Sequence, residues 1–185
     1  MHCRQVAFSL LMCATAGGAW AQGPSPASPI ALAVSLQRQQ AAILRNLVES
    51  AEKMPDADYG YKASLDIRTF GQFIGHVANS QYQLCAAARG EANPNAEDFE
   101  KTAGKPALVA ALKASGAYCA DVYGAITDVT AMETVANGPA RVTRAAILAS
   151  NIAHNNEHYG NLVIYMRIKG LVPPSTERAQ PPRKP

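Results

Sequence analysis

The chain has 185 residues, of which 48% are hydrophobic and 6% aromatic, so it is long enough to form one globular domain with its own core. Its formal charge is +3, from 17 Lys and Arg against 14 Asp and Glu, and the basic residues are scattered along the sequence. A charge this small and this dispersed excludes nucleic acid as an expected partner.

The N-terminus has the form of a secretory signal peptide covering residues 1–21. Val6–Ala16 is an apolar run that follows Arg4, and Ala19–Ala21 (Ala-Trp-Ala) provides a small-residue cleavage site. The apolar run is too short to span a bilayer, so we expect no stable membrane insertion after cleavage and a periplasmic or secreted location. The Pro- and Ser-rich residues 22–31 that follow are typical of a flexible linker.

Apolar residues recur at helical spacing in four segments, which predicts an all-α fold. The predicted helices cover Leu32–Lys53, Arg68–Arg89, Lys105–Asp128 and Arg141–Lys169. Four amphipathic helices in one chain favour a four-helix bundle, here spanning residues 32–172. Residues 129–140 are predicted to be a loop, and the Pro-rich residues 173–185 lack an apolar period and are predicted to be a disordered tail.

Two cysteines remain once the signal peptide is removed, Cys85 in the second predicted helix and Cys119 in the third. An even pair in an oxidising compartment predicts a disulfide, and the alternative is two buried free thiols. If the two helices are parallel, the cysteines lie at nearly the same height, whereas an antiparallel hairpin would separate them by several turns. A Cys85–Cys119 bridge and a parallel pair of helices therefore imply each other.

His154 and His158 are four residues apart, so both imidazoles project from one face of the fourth predicted helix. His76, on the inward face of the second helix, could join them as a third neutral ligand. Three imidazoles suit Zn, Ni, Cu or Fe and leave a coordination position open for water or a substrate. The alternatives are a chance pairing on a helix face, a pH-sensitive pair of core histidines, and a hydrogen-bonded structural role for His76.

Two further residues are weak catalytic candidates. Glu157 gives His154 and His158 the H-x-x-E-H pattern of inverted zinc proteases, in which the Glu is a general base. Those enzymes need another carboxylate ligand downstream, and the only acid available here is Glu177, so Glu157 is expected to support a ligand or to face solvent. Tyr61 lies in a Tyr-Gly-Tyr sequence before the second helix and could face a ligand, or it could pack on the end of the bundle.

Two segments together resemble the DinB-like family, across about residues 32–175. They are Arg68-Thr-Phe-Gly-Gln-Phe-Ile-Gly-His76-Val-Ala and His154-Asn-Asn-Glu-His158-Tyr-Gly-Asn-Leu-Val-Ile-Tyr-Met-Arg-Ile-Lys-Gly-Leu-Val-Pro-Pro. The resemblance implies a bundle in up-down-down-up order with the second and third helices parallel. It also implies a divalent metal, Zn or Ni, held by His76, His154 and His158, and it implies frequent homodimers.

The same resemblance relates the chain to enzymes that use small thiols such as bacillithiol or mycothiol for transfer or isomerisation. We therefore expect an exported, metal-dependent transferase or hydrolase that acts on a small molecule at the open coordination position. The alternative is a non-catalytic exported module in which the metal braces the bundle or the site binds a ligand. Metal binding is common to both hypotheses, and catalysis separates them.

Overall fold

The computed structural model describes residues 30–180, so the predicted signal peptide, most of the predicted linker and residues 181–185 lie outside it. The described chain is all-α apart from one small hairpin. Its helices and strands are α1 (Leu32–Lys53), α2 (Phe70–Arg89), α3 (Lys105–Ala125), α4 (Asp128–Ala131), β1 (Thr134–Asn137), β2 (Ala140–Thr143), α5 (Arg144–Ile168) and α6 (Pro174–Ala179). Within this range, no helix combines the length and the apolar character needed to cross a membrane.

The core lies between the four long helices, because α1 and α2 each pack against both α3 and α5. It consists of two apolar clusters, one around Leu47 and Leu162 and the other around Val122 and Ile147. On each long helix, one buried polar residue lies between the residues of one cluster and those of the other, and these four residues form a polar layer. The layer is formed by Gln40, Gln81, Ser115 and Asn155.

The helix that carries His76 begins two residues later than the sequence predicted. Thr69 caps it, because the Thr69 hydroxyl accepts from the Gln72 backbone N–H and the Gln72 side chain accepts from the Thr69 N–H. The helix ends where Gly90 adopts the left-handed conformation, with φ of 79°. The cap and this C-terminal glycine therefore fix both ends of α2, and the predicted start at Arg68 was wrong.

The connection between α3 and α5 differs most from the prediction. The third helix ends at Ala125 rather than Asp128, because Thr127 starts the separate helix α4 by capping its first turn. The predicted loop at 129–140 contains β1, which pairs antiparallel with β2 through a turn at Gly138, where φ is 59°. Residues assigned to the start of the fourth helix are therefore a strand, and α5 begins only at Arg144.

The prediction of a disordered tail was wrong for its first part, because residues 174–179 form α6. The Tyr159 hydroxyl donates to the Ser175 Oγ at 2.7 Å and accepts from the Ser175 backbone N–H at 3.0 Å. Lys53 pairs with Glu177, and Lys53 Nζ also donates to the Val172 carbonyl at 2.9 Å. These contacts hold α6 on α1 and α5, and because they are polar and long-range, they leave no apolar period in the sequence.

A buried disulfide joins α2 to α3 through Cys85 and Cys119, whose Cα atoms are 5.4 Å apart. The Asn151 amide of α5 contacts the two sulfurs at 3.7 and 3.8 Å and donates to the Tyr123 hydroxyl at 3.1 Å. The disulfide and the Asn151 amide therefore connect three long helices, about one turn before His154 on α5. They fix the position of α5 relative to α2 next to the three histidines.

Candidate metal centre

Three histidines from two helices converge at one point. The Nε2 atom of His154 lies 3.1 Å from Nε2 of His76 and 3.0 Å from Nε2 of His158. In a tetrahedral site with metal–nitrogen distances of about 2.0–2.1 Å, ligand nitrogens are roughly 3.3 Å apart. The two distances from His154 are slightly shorter than this value, and all three ligand atoms lie within 4.8 Å of one another, so the donor set and its spacing fit one divalent ion.

The surroundings favour neutral imidazoles, which is the form that binds metals. Burial lowers the pKa of His154, and the neighbouring His76 lowers it further. Burial also lowers the pKa of His158 to about 4, with contributions from His154 and then His76. Both rings therefore remain uncharged at neutral pH and keep a lone pair for a metal.

Glu100 is the carboxylate next to this cluster. Its Oε1 lies 2.6 Å from His76 Nδ1, and its Oε2 accepts from Arg68 Nε at 2.8 Å. Burial alone would raise the pKa of Glu100, but the hydrogen bonds from Arg68 and His76 and their charges lower it overall. An ionised Glu100 accepts the Nδ1 proton of His76, which leaves the Nε2 lone pair directed at the other two histidines.

Glu100 belongs to the short 3₁₀ helix Phe99–Lys101 (the Glu100 segment), which packs directly against α2 beside His76. A Cβ atom on Gly75 would lie only 2.5 Å from the Phe99 carbonyl carbon and 2.8 Å from the Glu100 nitrogen. One turn further, the Asn79 side chain accepts from the Phe99 N–H at 3.1 Å and donates to Asp98 at 2.9 Å. The missing side chain at Gly75 and the amide at Asn79 thus allow the segment to approach closely enough for Glu100 to reach His76.

The second ring nitrogen of His158 faces a side-chain amide. Its Nδ1 lies 3.3 Å from Nδ2 of Asn161, one turn further along α5. A histidine that binds a metal through Nε2 carries its proton on Nδ1, so the amide oxygen of Asn161 would face the ring after a half-turn of the amide. Asn161 can thus accept the Nδ1 proton of the metal-binding tautomer of His158 without moving its backbone.

The ring of Phe73 packs against the same imidazole. It is tilted relative to the His158 ring, and the two ring centroids are 5.6 Å apart.

An open cavity of about 610 Å³ adjoins His158. Its walls come from the segment before α2, from α2 and α5, and from the Glu100 segment. The lining residues are Lys62, Leu65, Asp66, Ile67, Arg68, Gln72, Phe73, Glu100, Glu157, His158 and Asn161. A volume of this order accommodates a small organic molecule, and the charged side chains suit a polar one.

The two weak catalytic candidates have different surroundings. Glu157 lines the cavity next to His158, whereas Tyr61 is not among the lining residues. The Tyr61 ring packs edge-on against Tyr165, with centroids 5.9 Å apart, and Lys169 Nζ lies 3.8 Å above its face. Tyr61 therefore packs at the end of the helices, and Glu157 is the candidate that can reach a molecule in the cavity.

Three residues of the site were not found from the sequence, namely Arg68, Glu100 and Asn161. Arg68 lies before α2, and Glu100 lies in the short 3₁₀ helix Phe99–Lys101 of the polar loop between α2 and α3, where no apolar periodicity marks a side chain that faces a site. Asn161 follows His158 by three residues, so its position on the same helical face could have been noticed. Glu100 had no comparable signal, because a polar loop offers several equivalent acids.

The family model described as DinB superfamily matches residues 39–162. Among curated proteins, none matches the chain.

Several solved structures share the fold. A DinB-like protein from Bacillus cereus ATCC 10987 has 13% identity and a TM-score of 0.66, over 75% of this chain and 93% of that protein. A DinB-like protein from Bacillus subtilis has 21% identity and a TM-score of 0.60, over 74% and 92%. A mycothiol-dependent maleylpyruvate isomerase has 17% identity and a TM-score of 0.58, over 70% and 60%. The likeness to these proteins is one of fold.

Proposed function

The chain belongs to the DinB superfamily, and on that basis we propose that it binds a divalent transition metal through His76, His154 and His158. The observation that carries the proposal is the convergence of three Nε2 atoms from two helices beside an open cavity. Zn and Ni are the expected ions, because three imidazoles suit late transition metals. A bound ion would supply Lewis-acid activation of a molecule at its remaining coordination position.

The protein is further proposed to be a metal-dependent enzyme, a transferase or hydrolase, that acts on a small polar molecule in the cavity. A structurally similar protein is a mycothiol-dependent maleylpyruvate isomerase, which supports a small-molecule substrate. No Ser, Thr or Cys lines the cavity in the described chain, so an attacking hydroxyl or thiol would come with the substrates or from solvent. Glu157 is the group placed to accept a proton from a molecule bound next to His158, and Arg68 can pair with an anionic part of it.

A non-catalytic role is the second candidate function. The histidines join α2 to α5, so a metal held by them would brace these helices whether or not a reaction follows. Metal removal separates the two roles. If the metal is a brace, chelation will lower the free energy of unfolding by several kcal/mol, whereas a dispensable metal leaves the fold intact and the open position free to bind imidazole.

Contacts between helices support an up-down-down-up bundle. Gln81 of α2 pairs with Ser115 of α3, and Cys85 with Cys119, and each of these two contacts spans 34 residues, as parallel helices require. Between α2 and α5, the sequence separation falls from 78 residues at His76 and His154 to 66 residues at Cys85 and Asn151, as antiparallel helices require. We propose on these grounds that α2 and α3 run parallel, in the order that the family resemblance implies.

Export is part of the proposal as well. Its support is the cleavage pattern at Ala19–Ala21 and the Cys85–Cys119 disulfide, which persists in an oxidising compartment. N-terminal sequencing of the protein recovered from its native host should start at Gln22. An intact N-terminus, or recovery from the cytosolic fraction with free thiols, would refute export.

Metal analysis of untagged protein tests the central claim. We expect close to one equivalent of a transition metal in the native protein and a large loss in His76→Ala. Glu157→Gln should keep the metal, because Glu157 lines the cavity and is not part of the histidine cluster. Absence of metal from the native protein, together with no binding of added Zn or Ni, would refute the site.

A further inference from the structure

We propose that Glu100 is a positioning residue for the metal and acts through His76. The loop between α2 and α3 packs against α2 and thereby holds this carboxylate at His76. The inference rests on the proposed function, since it concerns the metal held by the same three histidines. It assigns a role to a residue outside the helices that carry the ligands.

The carboxylate is fixed from both sides. Oε1 of Glu100 accepts from His76 Nδ1 at 2.6 Å, while Arg68 donates from Nε to Oε2 at 2.8 Å and from Nη2 to Oε1 at 3.4 Å. Arg68 is itself held at the start of α2, where the Tyr165 hydroxyl donates to its carbonyl at 2.6 Å. His76 and Arg68 together hydrogen-bond both oxygens of Glu100, and this fixes the orientation of the carboxylate.

The consequence for His76 follows from imidazole chemistry. A neutral imidazole carries one proton, and a carboxylate at Nδ1 holds that proton on Nδ1. Nε2 then has its lone pair directed at His154 and His158, as a shared metal requires. Carboxylates that act on metal ligands in this way typically change metal affinity about 10–100-fold.

Glu100 stands apart from the groups around the other two histidines. His158 has a neutral amide at Nδ1, from Asn161, and Nδ1 of His154 has no hydrogen-bond partner among residues 30–180. In that part of the chain, Glu100 is therefore the carboxylate bonded to a ring of the cluster. Removing the Glu100 carboxylate should therefore lower metal affinity more than removing any other nearby carboxylate.

The test is the affinity for Zn, measured by competition with a chromophoric chelator on the metal-free protein. Glu100→Gln keeps the size of the side chain, but it places an NH₂ group against the donors of Arg68 or His76. We expect a 10–100-fold loss of affinity. Glu97→Gln, in the same loop but with an exposed side chain, is the matched control and should stay within about twofold of the wild type.

Two further measurements separate positioning from folding. Thermal unfolding of the metal-free variants should show Glu100→Gln still folded, and the visible spectrum of the Co(II)-loaded variant should differ from the wild type because the ligand field at His76 has changed. If Glu100→Gln does not fold, Arg68→Lys provides the second variant, with an expected loss of about threefold to tenfold since one of the two partners of Glu100 is weakened.

The outcomes are distinguishable. Native protein that binds Zn, loses it in His76→Ala and keeps it within twofold in Glu100→Gln would overturn the inference and leave the proposed function standing. Native protein that binds neither Zn nor Ni would refute the proposed function, and the inference with it. A loss of affinity shared equally by Glu97→Gln and Glu100→Gln would show a general charge effect, which also overturns the inference.

Discussion

Replacing Gly75 with alanine should loosen the loop that carries Glu100. Gly75 lies inside α2, where alanine would ordinarily stabilise a helix by about 1 kcal/mol relative to glycine. Here the added Cβ would lie 2.5 Å from the Phe99 carbonyl carbon and 2.8 Å from the Glu100 nitrogen, so backbone atoms would have to move by roughly 1 Å. Overpacking of this kind typically costs about 1–3 kcal/mol, which outweighs the gain in helix propensity.

Gly160→Ala is the matched control for that substitution. Gly160 also lies inside a long helix, α5, but apart from the adjacent backbone of that helix, no atom of residues 30–180 lies within 4 Å of a Cβ added there. We therefore expect Gly160→Ala to raise the free energy of unfolding by up to about 1 kcal/mol. Gly75→Ala should lower it by up to about 2 kcal/mol, because the gain in helix propensity offsets part of the overpacking cost. Urea unfolding of the metal-free proteins should separate the two variants by about 1–3 kcal/mol.

A second measurement ties this effect to the site. Because the clash falls on the residues next to the carboxylate, Gly75→Ala should also weaken Zn binding, in the same direction as Glu100→Gln. If Gly75→Ala proves as stable as Gly160→Ala and binds Zn like the wild type, the close approach of the loop to α2 is not present in solution. That result would refute the reasoning from which the position of Glu100 is derived.

Three further predictions concern the histidines, the disulfide and the tail. His158 has its pKa lowered from 6.5 to about 4, so the unfolded state binds more protons between these values. This residue alone should lower the stability of the metal-free protein by at most about 3 kcal/mol as the pH falls from 6.5 to 4, measured by urea unfolding, and a flat profile would contradict this. Replacing Cys85 and Cys119 together by alanine opens a link across 34 residues and should cost about 4 kcal/mol in urea unfolding, whereas a cost near zero would argue against the bridge. Tyr159→Phe removes both hydrogen bonds to the first turn of α6 and should speed tryptic cleavage of the tail. The control is Tyr118→Phe, which should leave the cleavage rate unchanged because the Tyr118 hydroxyl has no partner among residues 30–180. Equal cleavage rates in both variants would refute this account of how α6 is held.

The long helices were predictable because their signals are local. The predicted bounds Leu32–Lys53 for α1 are confirmed, since apolar residues recur there at helical spacing up to Pro55. The C-terminal end of α2 was also predictable, because Gly90 is the residue type that adopts a left-handed cap at little cost. Family membership was likewise predicted from the two histidine-containing segments, and the match across residues 39–162 confirms it.

The errors fall where short elements depend on distant partners. β1 and β2 are four residues each, too short for a periodic signal, and Val135 is buried against the cluster around Val122 and Ile147. The helix α6 forms in a Pro-rich stretch because Tyr159 and Lys53, far away in sequence, bind it. Tertiary contacts of this kind override local propensity, so the sequence pattern alone predicted a loop and a disordered tail.

The spacing of His154 and His158 is enough to place both side chains on one face, because residues four apart are neighbours in any α-helix. The partners that they meet depend on how the helices and loops pack. His76 reaches them across the core, and Glu100 reaches His76 from a loop 24 residues further along the chain. That approach depends on the missing side chain at Gly75, a long-range steric condition that no local spacing in the sequence expresses.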